Sequence, residues 1–460
     1  MSKRIRLPQQ TPVLRVEILE ANQSPKSGWT GCALDRNIRF STDSLESYCF
    51  ADWQPVVYDM LLLAAAVEFS DKSCKRPGYG WGRAFEIDLP VHDLALWRTP
   101  TVAAALRSAL EFLTGDSWLI TFRERSGALE VPQRNELQLP PQTAAVIPFS
   151  NGLDSRAVVG IMERALDGNL VRVRLGSARD ASAKAKRKPF AAIPYSVTVD
   201  VDDREASGRS RGFKFALVAG VAAYLSKAHR IIMPESAQGA LGPALVPVAY
   251  AYEDYRNHPL FTDRMTAFLR ALLGCEVTYE FPQLWITKAE TIKRSLETEQ
   301  STDLLATRTC WQRSQQVSVD HHRRQCGICA ACLLRRMSFH AAGLSEPQET
   351  YVWENLSASE FKLGAAPTFN PDLITRSQRE YSIAGVLHLD HLAGLNQSEV
   401  HAETLGHTVF QLSNSLGLRE AETASRLDRV LDQHRSEWKA FMASLGSNSF
   451  LADWLGGGQR

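Results

Sequence analysis

The sequence lacks the features that would direct a protein to a membrane, a secretion route or a nucleic acid. Its 460 residues include 52 basic and 51 acidic side chains, so the net charge of +1 gives no general attraction to nucleic acid or anionic lipid. The most apolar stretch, Val56 to Phe69, contains Asp59 and Glu68 and is too short to span a bilayer. The basic start is followed by no apolar run, so we expect no signal peptide and a cytoplasmic protein.

What is present is the composition of a folded protein with reduced cysteines. Apolar residues make up 44% and charged residues 22% of the chain, which is typical of globular domains and excludes general disorder. A length of 460 residues allows two or three domains. Eight cysteines without a secretion signal favour thiols or metal ligands over disulfides.

One short polar loop carries the strongest functional signal. It follows the apolar, strand-like run Ala144–Phe149 and precedes a helical pattern from Arg156 to Leu166. This order directs free backbone N–H groups and the positive end of a helix dipole toward an anion. The absence of a Gly-Lys-Ser/Thr ending excludes a Walker loop, and an ordinary capped turn is the alternative. The loop residues are Ser150, Asn151, Gly152, Leu153, Asp154 and Ser155.

Four of the cysteines form a metal-binding pattern. Cys310 is separated by 15 residues from Cys326, and Cys329 and Cys332 follow at two-residue gaps. Such gaps let thiolates converge on one ion, and four sulfur ligands leave no open position, so the pattern predicts structural zinc. An iron–sulfur cluster is the sharper alternative, but the ferredoxin continuation after the last cysteine is absent. Four unrelated buried cysteines are the remaining alternative.

A helix start near residue 287 carries a lysine in an unusual place. Thr287 and Glu290 have the spacing of a capping box, which predicts a helix from Lys288 to Glu297. A lysine in a first helical turn opposes the helix dipole. We therefore favour a role for Lys288 on phosphate over a solvated surface lysine.

Together these motifs resemble the ATP pyrophosphatases, and among them the QueC (7-cyano-7-deazaguanine synthase) family. The loop resembles their Ser-Gly-Gly-x-Asp-Ser sequence, with Asn151 in place of the first glycine. Asn tolerates left-handed backbone better than most residues, so the turn can survive the change. The cysteine spacing and the Thr-Lys-Ala-Glu element at 287–290 also resemble the family. The resemblance covers about Gln142 to Leu344.

The resemblance implies the cofactors and the site residues. The Ser150–Ser155 loop would hold the phosphates of ATP, with Mg²⁺ near Asp154 and structural Zn²⁺ on the four cysteines. Asp154, Lys288 and Arg211 would be catalytic, the last at the start of a helix where the family has Arg-Asn. Asp154 would meet Mg²⁺ or a loop N–H, because a carboxylate repels phosphate.

The reaction implied is an ATP-dependent, AMP- and pyrophosphate-forming ligation. The enzyme would adenylate a 7-carboxy-7-deazaguanine-like carboxylate and transfer it to an amine. The chain is longer than QueC proper and resembles the QueC-like component of bacterial antiphage defence systems such as the Qat system, which implies a protein partner. Three alternatives stay open: a nitrile synthase that uses ammonia, a tRNA thiolase-like enzyme, and a degenerate nucleotide-binding scaffold.

Weaker candidates line the predicted substrate pocket. Glu235 and Ser236 follow the strand-like run that ends at Met233, and the carboxyl ends of parallel strands face the ligand crevice. Loop capping explains both equally well. His258, in a loop before a helix, is a further candidate, although a lone histidine is more often structural.

The pattern of elements predicts three regions. Residues 1–140 mix strands and helices and predict an α+β domain of unknown role. Residues 141–345 alternate strands and helices, which predicts a doubly wound parallel sheet of the pyrophosphate-loop type, with Tyr195–Val199 as one of its strands. Residues 346–460 are predicted to be mainly helical. The long helix Glu420–Leu445 has an apolar stripe that we expect to pack on the core: Leu427, Val430, Leu431, His434, Trp438 and Phe441.

Overall fold

The computed structural model describes residues 13–43, 45, 53–77, 80–127, 142–176, 190, 193–202, 204–249, 251–298, 304–312 and 317–456. The boundary expected near residue 140 lies outside these ranges. The chain divides into two compact units. Unit 1 comprises residues 1–149, 166–233 and 254–280, and unit 2 comprises residues 150–165, 234–253 and 281–460.

Short strands occur along the first three quarters of the chain. They are β1 Val13–Leu19, β2 Thr30–Ala33, β3 Ile38–Phe40, β4 Ala84–Val91, β5 Ser117–Glu124, β6 Ala145–Pro148, β7 Leu170–Val173, β8 Leu175–Gly176, β9 Ile193–Val197, β10 Arg230–Ile232, β11 Thr278–Glu280, β12 Ser318–Val319 and β13 His322–Arg323.

Helices alternate with the strands and then dominate the C-terminal part. The α-helices are α1 Val56–Ser73, α2 Leu94–Trp97, α3 Pro100–Thr114, α4 Leu153–Ala165, α5 Arg211–Ser226, α6 Ala237–Ala240, α7 Gly242–Leu245, α8 Pro259–Leu273, α9 Lys288–Leu296, α10 Ala330–Ala341, α11 Arg376–Gly394, α12 Ala402–Leu416, α13 Glu420–Leu445 and α14 Phe450–Gly456. Short 3₁₀ helices are Gln348–Thr350, Lys362–Gly364, Pro371–Leu373, Leu395–Gln397 and Glu399–His401.

The first sheet of unit 1 has the order β2-β1-β4-β5, and all its strands are parallel. We expected an α+β arrangement here, and the parallel sheet corrects that prediction. Helix α1 lies in the connection from β1 to β4 and α3 in that from β4 to β5, as is usual between parallel neighbours, whereas β1 and β2 are joined by residues 20–29 without a helix. Helix α1 is buried along most of its length, as its apolar sequence predicted.

The second sheet of unit 1 is the parallel sheet predicted for the core, with the order β11-β10-β6-β7. The predicted strand Tyr195–Val199 does not join it. That strand is β9, which pairs antiparallel with β3 through Phe40 and Tyr195 in a separate three-stranded sheet. Its partner comes from the N-terminal region, about which local periodicity carries no information.

Unit 2 is helical around two apolar clusters relevant to the site. One packs α4, α9 and α10 together through Leu153, Ala157, Ile292 and Phe339. A larger cluster surrounds the cysteines and includes Trp353 and Trp438. The six stripe residues predicted for α13 are all buried. Within the described residues, no helix combines the length and apolar character needed to cross a membrane.

Candidate active site and metal centre

The Ser150–Ser155 loop is closed by its two serines. Strand β6 ends at Pro148 and α4 begins at Leu153, so the predicted strand–loop–helix order is present. The Ser150 and Ser155 hydroxyl oxygens are 3.0 Å apart, and the backbone N–H of Gly152 donates to Ser150 Oγ at 3.1 Å. The first-turn N–H groups of α4 have no acceptor within their own helix, so this end of the helix can accept an anion.

Asn151 takes part in the loop through its backbone. Its carbonyl oxygen accepts a hydrogen bond from the backbone N–H of Arg308 at 3.0 Å. Among the described residues, those with positive φ do not include Asn151 or Gly152, so the left-handed turn considered for Asn151 is not used. A Cβ at Gly152 would lie 3.0 Å from Ser150 Oγ, so a larger residue there would require that hydroxyl to shift.

Lys288 and Asp154 form a shielded ion pair. Lys288 is the first residue of α9 and its Nζ donates to Asp154 Oδ1, in the first turn of α4. Their side chains are 4% and 13% exposed. We expected Asp154 to meet Mg²⁺ or a loop N–H, and its observed partner is the lysine. Two helix N-termini, a cation and a carboxylate therefore converge.

The predicted capping box is present. Thr287 Oγ1 accepts from the Glu290 N–H at 3.3 Å, and Glu290 Oε2 accepts from the Thr287 N–H at 2.8 Å. The backbone N–H of Lys288 donates to Gln238 Oε1 at 2.6 Å. The first turn of α9 is thereby fixed, and the lysine backbone with it.

The four predicted cysteines converge on one point. The Sγ atoms of Cys310, Cys326, Cys329 and Cys332 all lie within 4.8 Å of one another. Backbone N–H groups donate to two of the sulfurs, from Cys326 to Cys310 Sγ at 3.2 Å and from Cys329 to Cys326 Sγ at 3.3 Å. Burial raises the pKa of the Cys326 and Cys332 thiols, so thiolates here need a cation. This donor set fits a closed zinc site.

A buried arginine links the cysteine site to the loop. Arg335 follows Cys332 on α10 and donates to Thr307 Oγ1 at 2.6 Å and to Thr309 Oγ1 at 3.2 Å. Gln325, next to Cys326, accepts from the Thr309 and Cys310 N–H groups. The segment around residue 308, which contacts Asn151, is therefore held from the cysteine side.

The weaker candidates have structural contacts. His258 is the N-cap of α8, where its Nδ1 accepts from the Leu260 N–H at 3.2 Å. Burial lowers the pKa of His258 to about 3, so the ring is neutral. Ser236 is fully buried, and its Oγ has no hydrogen-bond partner among the described residues. Glu235 is partly buried, with its carboxylate against Gly239.

Arg211 lies in unit 1, at the first position of α5. Its guanidinium carbon is 5.3 Å from the centre of the Phe215 ring. Burial and the neighbouring Arg256 lower the pKa of Arg211, but its guanidinium group stays charged at neutral pH. Arg211 is thus a desolvated cation at a helix start.

Sequence reasoning missed three residues that support Lys288. They are Gln238 and, on α13, His434 and Glu437. His434 was noted in the apolar stripe, but only as a packing residue. A buried polar residue inside such a stripe is the signal that could have identified its role. Gln238 and Glu437 carry no local signal, since their partners are 50 and 150 residues away.

Comparison with known proteins shows a similarity to one family over part of the chain, including part of the candidate site. Residues 245–343 match the family "Queuosine biosynthesis protein QueC". This segment contains Lys288 and the four cysteines, and the Ser150–Ser155 loop precedes it.

A particular relative is the 7-cyano-7-deazaguanine synthase of Aromatoleum aromaticum. The chain is 35% identical to it over 74 residues, which is 16% of this chain and 29% of that protein. The chain therefore matches less than a third of the relative's length. No solved structure matches the chain.

Proposed function

We propose that the chain uses ATP to adenylate a carboxylate of the 7-carboxy-7-deazaguanine type and passes the acyl group to an amine. The observation that carries the proposal is the Lys288–Asp154 pair at the N-termini of α4 and α9. Its support is that Lys288 and the cysteines fall in the segment similar to QueC.

The Ser150–Ser155 loop receives the β- and γ-phosphates of ATP. The free N–H groups at the start of α4 and the hydroxyls of Ser150 and Ser155 are the donors. Phosphate oxygens then compete with Asp154 for Lys288 Nζ. The positive end of the helix dipole adds to this attraction.

The transition state needs cations, because negative charge develops on the departing pyrophosphate. Lys288 supplies one. Asp154 is the carboxylate available for Mg²⁺, which binds through one or two carboxylates together with substrate phosphates. Bound Mg²⁺ would neutralise phosphate charge.

The reaction has two steps, adenylation of the carboxylate and transfer of the acyl group. A substrate carboxylate oxygen attacks the α-phosphorus, the bond between the α- and β-phosphates breaks, and pyrophosphate leaves. An amine then attacks the acyl carbon, AMP leaves with the bonding electrons, and the amine loses a proton. Zinc on the four cysteines takes no part in either step, because four sulfur ligands leave no open position.

The acceptor we propose is an amine on a protein partner, in a bacterial antiphage defence role. Its support is the length of chain outside the QueC-like segment, together with the resemblance to QueC-like defence proteins. Ammonia is the alternative acceptor, which the resemblance to the 7-cyano-7-deazaguanine synthases implies.

The test measures pyrophosphate and AMP. We expect pyrophosphate to form from MgATP only when 7-carboxy-7-deazaguanine is present, AMP to be released when an amine acceptor is also present, and Asp154→Asn to lose most of both rates. Absence of both products would leave the degenerate scaffold. Mass spectrometry of co-purified protein then tests the acceptor: an acyl-deazaguanine adduct supports the protein partner, and full turnover with ammonia alone contradicts it.

A further inference from the structure

Helix α13 reaches the active-site lysine from outside the QueC-like segment. The match ends at residue 343, and α13 spans Glu420–Leu445. Side chains from one face of α13 nevertheless contact the first turn of α9. Whatever α13 does for Lys288 is therefore an addition to the part of the chain that resembles QueC.

The first link is a buried carboxylate. Thr287 Oγ1 donates to Glu437 Oε1 at 2.6 Å, and Gln433 Nε2 donates to the same oxygen at 3.0 Å. The Thr287 hydroxyl has one hydrogen, which points to Glu437, so its lone pair is directed at the Glu290 N–H of the capping box. Glu437 thus orients the cap that begins α9.

The second link runs through a neutral histidine. His434 Nε2 lies 2.9 Å from the Leu389 carbonyl oxygen, which can only accept, so Nε2 carries the hydrogen. Nδ1 then accepts from Gln238 Nε2 at 3.2 Å. This leaves Gln238 Oε1 to accept the Lys288 N–H at 2.6 Å. Each hydrogen bond in this series therefore fixes the orientation of the next side chain.

A third link is an ion pair at the rim. Arg429 donates to Glu290 Oε2 at 2.7 Å and to the Trp285 carbonyl at 3.3 Å. Arg429, Glu437 and His434 thus hold three successive parts of one helix start. A helix that served only to cover a core would need its apolar stripe alone, and burying a carboxylate there costs free energy.

We propose that Glu437 and His434 are positioning residues, through which α13 sets where Lys288 meets Asp154 and the phosphates of ATP. The part concerning ATP rests on the proposed function. The part concerning Lys288 stands on the hydrogen bonds alone, so the two can be tested separately.

The first experiment measures the exchange of labelled pyrophosphate into MgATP by the full chain with 7-carboxy-7-deazaguanine, a reaction that reports the adenylation step and needs no amine. We expect Glu437→Ala to lower kcat/KM about tenfold, mainly through kcat, since a charged buried hydrogen bond is lost. Glu437→Gln keeps an acceptor for Thr287 and restores most of the rate. Lys439→Ala, exposed on the same helix, is the control and stays within about twofold.

The second experiment needs no activity. Lys288 is labelled with an N-hydroxysuccinimide ester without nucleotide, and its modification rate is measured by peptide mass spectrometry. Because its side chain is 4% exposed, labelling in the wild type is slow. We expect several-fold faster labelling in Glu437→Ala and none of this increase in Lys439→Ala. Faster labelling without pyrophosphate release in any variant would refute the proposed function and leave the positioning role intact.

A second pair of variants tests the proposal if Glu437→Ala does not fold. Thr287→Val removes the hydroxyl at nearly constant volume, and Thr287→Ser keeps it. We expect the valine variant to repeat both effects and the serine variant to resemble the wild type. Equal labelling and equal kinetics in the two variants would overturn the proposal.

Discussion

Two buried charge clusters, one in each unit, differ in how completely their charges are paired. In unit 1, Arg83 is fully buried and donates to Asp71 Oδ1 at 2.6 Å and to Asp116 Oδ2 at 2.8 Å. It also donates to the Asp71 carbonyl at 2.9 Å, and Arg76 donates to both oxygens of Asp116. We call these four residues the Arg83 cluster.

In unit 2, the pairing is incomplete. Lys288 Nζ has Asp154 Oδ1 as its acceptor among the described residues, although an ammonium group carries three hydrogens. The difference teaches that burial alone does not mark a functional charge. A saturated cluster stabilises the fold, whereas a shielded cation with spare donors is ready for a ligand.

The largest effect is expected on removing an anion from the Arg83 cluster, whose charges are fully paired. Asp116→Ala leaves Arg83 and Arg76 short of an anion, and we expect a loss of about 3–5 kcal/mol in the free energy of unfolding. Chemical denaturation measures it. Glu86→Ala, which removes the exposed pair with Arg15, is the control at under about 1 kcal/mol. Similar values for the two variants would contradict the distinction.

The second-largest expected effect concerns Lys288, the incompletely paired charge of unit 2. Lys288→Met keeps the side-chain length and removes the charge. We expect pyrophosphate formation to fall by about 10²–10³-fold, as for loss of one transition-state donor. The free energy of unfolding should change less than in Asp116→Ala. A variant that unfolds as readily as Asp116→Ala, with activity per folded molecule retained, would make Lys288 structural.

The next prediction concerns the four cysteines, which we expect to have a structural role as the Arg83 cluster does. We expect one zinc per chain by metal analysis, lost in Cys332→Ala together with about 3 kcal/mol of stability. Through Arg335 and Arg308, nucleotide affinity should weaken as well. Cys275→Ala is the control, because Cys275 is not one of the four ligands. Iron with sulfide in the protein would reject zinc.

The smallest effect concerns a buried group held neutral. Burial lowers the pKa of His258 to about 3 and of His388 and His434 to about 4, below the value near 6.5 of an unfolded chain. Their contribution to stability is therefore complete above pH 6.5 and is lost as pH falls toward these values. Burial raises the pKa of Glu437, which acts in the opposite direction.

His258→Asn isolates one of these groups. Asn remains a good N-cap for α8, so the hydrogen bond to Leu260 is kept. We expect the decline in the free energy of unfolding between pH 6.5 and 5 to become shallower by about 1 kcal/mol per pH unit. An unchanged slope would mean that His258 is not buried neutral.

Local rules predicted the parts of the site that local residues make. The cysteine spacing, the capping box at Thr287 and the helix following the Ser150–Ser155 loop depend on neighbours a few residues apart, and all three are present. The buried stripe of α13 follows from helical periodicity in the same way.

The rest depends on partners far along the chain. Asp154 meets Lys288 across 134 residues, and Thr287 meets Glu437 across 150. No periodicity links such positions. The conformation of Asn151 was also beyond reach, because its backbone is set by the hydrogen bond from Arg308. Strand β9 was assigned to the wrong sheet for the same reason.

The distance between Thr287 and Glu437 has a consequence for biosynthesis. A nascent chain that has just completed the QueC-like segment, at residue 343, has the lysine and all four cysteines but lacks α13, whose Glu437 contacts Thr287. Domains fold as they emerge from the ribosome, in order from the N-terminus. Under the positioning role proposed for α13, a chain truncated before residue 420 would lack the contacts that fix the start of α9, and with them the position of Lys288.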